Sequence, residues 1–143
     1  LKKIIDRYNE LGLQPVVGPE LEFYIANVKE DGGFERSLQR TGRVYTTGTL
    51  VDPDGTFLHL MRMLDSLNIG AFAGNHEFSP SQYEINLWHS NALDAADRTF
   101  FFKTAIKDVV AQAGQRLEAA DRGDRAGDGC AGAGPAGGAG GGR

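Results

Sequence analysis

"GPELEFYIANV", residues 18–28, sets two glutamates one residue apart inside an apolar run that reads as a β-strand. Side chains alternate between the two faces of a strand, so Glu20 and Glu22 emerge on one side while Leu21, Phe23 and Ile25 emerge on the other. The strand therefore has a core face and an acidic face, and the fold must supply a partner for each.

Ahead of this strand Leu1, Ile4, Ile5, Tyr8 and Leu11 recur at helical spacing, and Gly12 is placed to end that helix. Behind it, "KEDGGFERSLQRTGR" (29–43) is polar and glycine-interrupted, which predicts a hairpin or loop. Asp52, Pro53, Asp54 and Gly55 supply turn chemistry before a second amphipathic helix through Phe57, Leu60, Met61 and Leu64, closed by Gly70. "AFAGNHEFSPSQYEINLWHS" (71–90) reads as extended structure broken at Ser79 to Ser81, where Pro80 interrupts any ladder. After the break Tyr83, Ile85 and Leu87 alternate with Gln82, Glu84 and Asn86, so Glu84 also lies on the polar face of a half-buried strand. The longest helix follows in "NALDAADRTFFFKTAIKDVVAQAG" (91–114), with Leu93, Ala96, Phe100, Ile106, Val109 and Val110 as its apolar positions and room to continue to about residue 120.

The character of the chain changes after Gly114. Residues 115–143 contain no aromatic and no β-branched residue, and glycine and alanine dominate their second half. We therefore expect the packed domain to occupy residues 1–114, and 115–143 to be a low-complexity tail, disordered or read out of frame. "GDGCAG" and "GAGPAG" in that tail match the dinucleotide fingerprint, yet neither follows a strand, and composition alone produces them.

A net charge of −4 without a basic cluster argues against nucleic acid or an anionic membrane as partner. No apolar run approaches bilayer length, and the single cysteine, Cys130, excludes an internal disulfide, so a cytoplasmic location is the expectation. The first residue is leucine rather than methionine, which reads as a piece cut from a longer chain.

Four carboxylates carry the chemical interest: Glu20 and Glu22 on one strand, Glu77 before the Pro80 break and Glu84 after it. Two carboxylates about 5 Å apart repel by roughly 3 kcal/mol at an effective dielectric of 20. Such a cluster persists only if it is protonated, solvated or neutralised by cations. Three readings stand open on spacing alone. The commonest role of such glutamates is the solvated side of an antiparallel sheet. A glycosidase-type acid pair is the second, and a site for a divalent cation with hard oxygen ligands is the third.

Two blocks carry a family resemblance. "VVGPELEFYI" (16–25) resembles the strand that opens the catalytic domain of the glutamine synthetase superfamily, with its Gly-x-Glu-x-Glu-Phe pattern. Residues 75–114, beginning "NHEFSPSQYEINL", resemble that domain's second block, a glutamate followed by Pro-Gly-Gln-x-Glu and then a helix bearing Ala-Asp and Phe-Lys. "NHEFS", "EINL" and "ALDAADR" look most like the bacterial γ-glutamylpolyamine synthetase-like branch, which joins glutamate to polyamines or other amines. The resemblance implies an α+β fold, the N-terminal part of such a catalytic domain, with an antiparallel sheet and flanking helices.

It also implies a chemistry. Glu22, Glu77 and Glu84 match the residues that hold a Mg²⁺ or Mn²⁺ ion on the glutamate side of the family's site, and Glu20 matches a ligand of the ion on the nucleotide side. ATP, the co-substrate, would phosphorylate the γ-carboxylate of glutamate, and ammonia or an amine would displace phosphate. Glu77 would also receive an amine proton, and Tyr45 lies where the family often has a tyrosine near the amine pocket, although a structural tyrosine fits equally. Gln82 matches the family's glutamine; His76, by parity, points away from Glu77. Ser81 stands where the family usually has glycine. The family's later nucleotide-binding segments have no counterpart after Gly114, and its parent enzymes are large homo-oligomers whose sites are completed by a neighbouring subunit. The resemblance thus implies a truncated ligase, inactive alone. A non-catalytic cation-binding module is the alternative, and an acid-lined binding module of unrelated ancestry is a third.

Overall fold

The computed structural model describes residues 1–38 and 44–119. The end of the expected loop (39–43) and most of the expected tail (120–143) lie outside the described residues. Helix α1 (Lys2–Glu10) leads through the short β1 (Val16–Val17) into β2 (Glu20–Val28), which turns back as β3 (Phe34–Arg36). Then follow α2 (Thr56–Ser66), β4 (Ala71–His76), β5 (Gln82–Leu87), β6 (Ser90–Asn91), α3 (Ala92–Gln112) and β7 (Gln115–Ala119). The β1 and β6 pair forms a small ribbon, and the other strands form one antiparallel sheet. This is the α+β arrangement of strands and flanking helices that the sequence predicts.

The central strand is the one bearing the two glutamates. Ala26 is partnered by both Arg36 and Arg116, and Phe23 by both Tyr83 and Ala119. A strand has only two edges, so β7 runs along one of them while β5 and β3 follow each other along the other. The 29–36 segment is a hairpin: the Lys29 amide donates to the Gly33 carbonyl at 2.8 Å and the Gly33 amide to Asp31 Oδ1 at 2.8 Å.

The apolar face of the sheet, with Phe23, Ile25, Tyr83, Ile85 and Leu87, packs under α2 and α3. Leu60, Leu64 and Ile85 are at most 1 % exposed, and burial of each such side chain contributes about 1.5–3 kcal/mol. α2 presents Phe57, Leu60 and Leu64 at i, i+3 and i+7, as its sequence pattern predicts. Its first turn is capped from the preceding loop, where the Asp52 carboxylate accepts from the amides of Phe57 and Leu58, both at 3.0 Å. Gly74 lets β4 pass close beneath this helix: a Cβ there would lie 2.7 Å from Phe57 Cζ and 3.1 Å from the Glu84 carbonyl oxygen.

Two expectations are corrected. α3 buries Ala95, Phe102, Ile106, Val109 and Val110, whereas Phe100 is 70 % exposed and Leu93 is also exposed. Among three consecutive phenylalanines, only Phe102 is four residues before Ile106 and seven before Val109, so it alone shares their stripe. The second correction is at the helix end. α3 does not run to residue 120: it stops at Gln112, Gly114 takes φ +71°, and residues 115–119 form β7 along β2. Gln115 anchors the new strand, accepting from Thr56 Oγ1 at 2.8 Å and donating to Asn27 Oδ1 at 2.9 Å. No helix among the described residues is long and apolar enough to cross a membrane.

Candidate functional site

On the face of the sheet opposite α2 and α3, the antiparallel register sets Glu22 directly across from Glu84, Glu20 across from Asn86, and Tyr24 across from Gln82. Asn75 of β4 lies beyond Glu84 in the same row. Directly opposed Cβ atoms in such a pair stand about 4.5–5.5 Å apart, and like charges so placed repel. Glu77, two residues after Asn75, projects to the same side. Glu22, Glu77 and Glu84 thus share one patch, drawn from β2, β5 and the turn that joins β4 to β5.

Each of these carboxylates is held by a carboxamide. Asn75 donates to Glu77 Oε1 at 2.8 Å, Gln82 to Glu22 Oε2 at 2.9 Å, and Asn86 to Glu84 Oε1 at 2.9 Å. The orientation of Gln82 is itself dictated by the turn, because its Oε1 accepts from the Ser79 amide at 3.1 Å, which leaves Nε2 to face Glu22. The backbone closes the same turn: the Glu77 amide donates to the Gln82 carbonyl at 2.7 Å and the Gln82 amide to the Ser79 carbonyl at 3.1 Å.

Glu77 is the buried member, at 8 % exposure. Burial pushes its carboxyl above the usual range, and the charges of Glu84 and Glu22 push the same way against the hydrogen bonds from Asn75 and the Phe78 amide. Glu20 is exposed at the start of β2, two residues before Glu22 and opposite Asn86. Tyr45 adopts φ +56° and is 81 % exposed as a residue, while its amide donates to the His76 carbonyl at 2.9 Å. Its backbone therefore lies beside the strand that leads to Glu77, with the ring directed to solvent. His76 is buried on the core face, edge-on to Tyr83 at 5.3 Å between ring centroids, as its parity predicts.

A divalent cation is the group this donor set suits by chemistry, since three carboxylates with amide oxygens nearby are all hard ligands. As the side chains lie, each carboxylate is turned to its carboxamide. Among the described residues no group of three His, Cys, Asp or Glu side chains stands close enough to hold a metal ion. Each carboxamide bond engages one oxygen of a carboxylate that has two, so the three carboxylates would have to close on a common point, with those bonds kept, to hold an ion.

Sequence reasoning singled out Gln82 but not Asn75 or Asn86. The signal was available in the period of two, since Asn75 precedes Glu77 by two and Asn86 follows Glu84 by two. It is weak because amides on a polar strand face are ordinary.

With this geometry in hand, the comparisons place the chain. Residues 1–119 match the model of the glutamine synthetase catalytic domain. The chain belongs to the glutamine synthetase family through that domain. It is 28 % identical over 110 residues to a glutamine synthetase of Pyrococcus abyssi, covering 77 % of this chain and 25 % of that protein. It is 29 % identical over 120 residues to a glutamate–isopropylamine ligase of a Pseudomonas species, covering 80 % of this chain and 26 % of that one. A glutamine synthetase of Mycobacterium tuberculosis strain H37Rv is 30 % identical over 118 residues, covering 81 % and 26 %. The fold is similar to that of a solved structure described as apo GmaS without ligand, with a TM-score of 0.68 at 25 % identity over 82 % of this chain and 28 % of that one. The chain spans about a quarter of the length of the curated relatives it matches.

Proposed function

We propose that this chain is part of an ATP-dependent ligase that joins ammonia or an amine to the γ-carboxylate of glutamate through a γ-glutamyl phosphate. Glu22, Glu77 and Glu84 would hold a Mg²⁺ or Mn²⁺ ion beside the glutamate, and Glu20, at the start of β2, would serve the ion on the nucleotide side. Such an ion supplies charge neutralisation where phosphate is transferred. The chain's own residues supply the rest: Asn75, Gln82 and Asn86 orient the three carboxylates, and the buried Glu77 is suited to take a proton from the incoming amine. The observation that carries this reading is the direct pairing of Glu22 with Glu84 beside the buried Glu77. The relative named as a glutamate–isopropylamine ligase supports an amine as acceptor no less than ammonia.

A second reading is a cation-binding module without turnover, which needs only the patch of Glu22, Glu77 and Glu84. The purified chain, assayed for γ-glutamyl transfer to hydroxylamine and for Mn²⁺-dependent thermal stabilisation, tests both. Turnover supports the ligase and overturns the module, stabilisation alone supports the cation site that the two readings share, and the absence of both effects overturns that site.

A further inference from the structure

Ser81 is fully buried at φ +60°, a conformation that favours glycine, and it lies immediately before Gln82 in the turn. Its side chain explains why serine is there. The Leu38 amide donates to Ser81 Oγ at 2.6 Å, and the Ser81 hydroxyl can return its proton to the Leu38 carbonyl at 3.2 Å. Ser37 Oγ lies 3.1 Å from Ser81 Oγ and 3.2 Å from the Ile25 carbonyl, so its one proton serves either acceptor. The main chains are joined at the same place: the Ile25 amide donates to the Ser81 carbonyl at 3.0 Å, and the Ile25 carbonyl accepts from the Ser37 amide at 3.3 Å. Ile25 is the point on β2 where β5 gives way to β3, and the two serines stitch that junction.

From this geometry we infer that the Ser81 hydroxyl is a positioning group for the carboxylate patch, resting on the reading of Glu22, Glu77 and Glu84 as a cation site. It clamps the chain leaving β3 to the turn that holds Gln82. Gln82 in turn fixes Glu22 through its side chain and Glu77 through its carbonyl. Displacement of residue 81 therefore reaches two of the three carboxylates, although Ser81 touches none of them.

Ser81→Gly and Ser81→Ala separate the hydroxyl from the backbone. Both remove the hydroxyl, but glycine relaxes the positive φ and alanine retains its strain, so their melting temperatures diverge. If the hydroxyl positions the patch, both variants lose Mn²⁺ affinity alike, by about three- to tenfold at a temperature where each is folded, and the Gln82 side-chain amide resonances shift in both. Amide exchange at Leu38 accelerates at least about tenfold in both, whereas Ile25, which bonds the retained carbonyl of residue 81, stays within about twofold in Ser81→Gly. Mn²⁺ affinity that simply follows melting temperature, or unchanged Leu38 exchange, overturns the inference. A wild-type chain that does not bind Mn²⁺ removes the cation site instead, and the Gln82 resonances then decide the positioning role: unmoved, they overturn it as well.

Discussion

Glu22 and Glu84 face each other directly across β2 and β5, and a neutral carboxamide restrains each of them, Gln82 and Asn86 respectively. Two carboxylates opposed in this way oppose the sheet that holds them. Amide donors reduce that opposition by solvating the charge, but they cannot cancel it.

Glu84→Gln should accordingly raise the stability of the metal-free chain by about 0.5–1 kcal/mol, because the cross-strand repulsion is lost while an acceptor oxygen remains. Glu22→Gln or Glu84→Gln should each abolish the Mn²⁺-induced rise in melting temperature. Paired thermal melts with and without Mn²⁺ measure both effects, and unchanged Mn²⁺ shifts would falsify the ligand assignment.

Glu77 predicts a pH signature. Its folded-state carboxyl titrates above the ordinary value of 4.5, so between 4.5 and the raised value the folded state binds more protons than the unfolded chain. Stability contributed by this group is therefore present at low pH and is lost as pH rises through that window. The difference in unfolding free energy between wild type and Glu77→Gln should change across the window and flatten above it, as urea titrations at a series of pH values would show. A difference that is constant with pH contradicts the assignment.

Gly74→Ala should destabilise by about 1–3 kcal/mol through overpacking, since the new methyl meets the Phe57 ring and the backbone of Glu84. The midpoint of urea unfolding reads this directly. A neutral result would mean that α2 can lift from β4 at no cost.

Asp52→Ala should cost about 1 kcal/mol, as for the loss of a helix cap, because it strips the acceptors from the Phe57 and Leu58 amides. Asp52→Asn, which keeps one acceptor oxygen, should recover part of the loss. Equal losses in both variants would point to the charge rather than the hydrogen bonds.

For β7, a chain ended after Ala119 should melt well above one ended after Gly114, since the latter exposes the edge of β2 and removes the Gln115 bridge between Thr56 and Asn27. Coincident melts would show that residues 115–119 add nothing to the domain.

The period of two in residues 18–28 and 82–87 determined which face of each strand is acidic, and the apolar spacing of α2 determined which residues it buries. These are local properties, because alternation and helical repeat depend only on backbone geometry. The three phenylalanines of α3 show the limit of such patterns: a helix carries several candidate stripes, and only contact with the sheet selects the one through Phe102. Likewise nothing local in "GQRLEA" (114–119) announces a strand, because β7 forms by pairing with an edge of β2 contributed from far away in the chain. The sequence by itself named the four glutamates and the turn residue Ser81. Pairing through the fold decided that Glu22 stands opposite Glu84, that Glu20 stands opposite Asn86 rather than another carboxylate, and that Ser81 reaches Leu38, because register and loop contacts are set by residues distant in sequence.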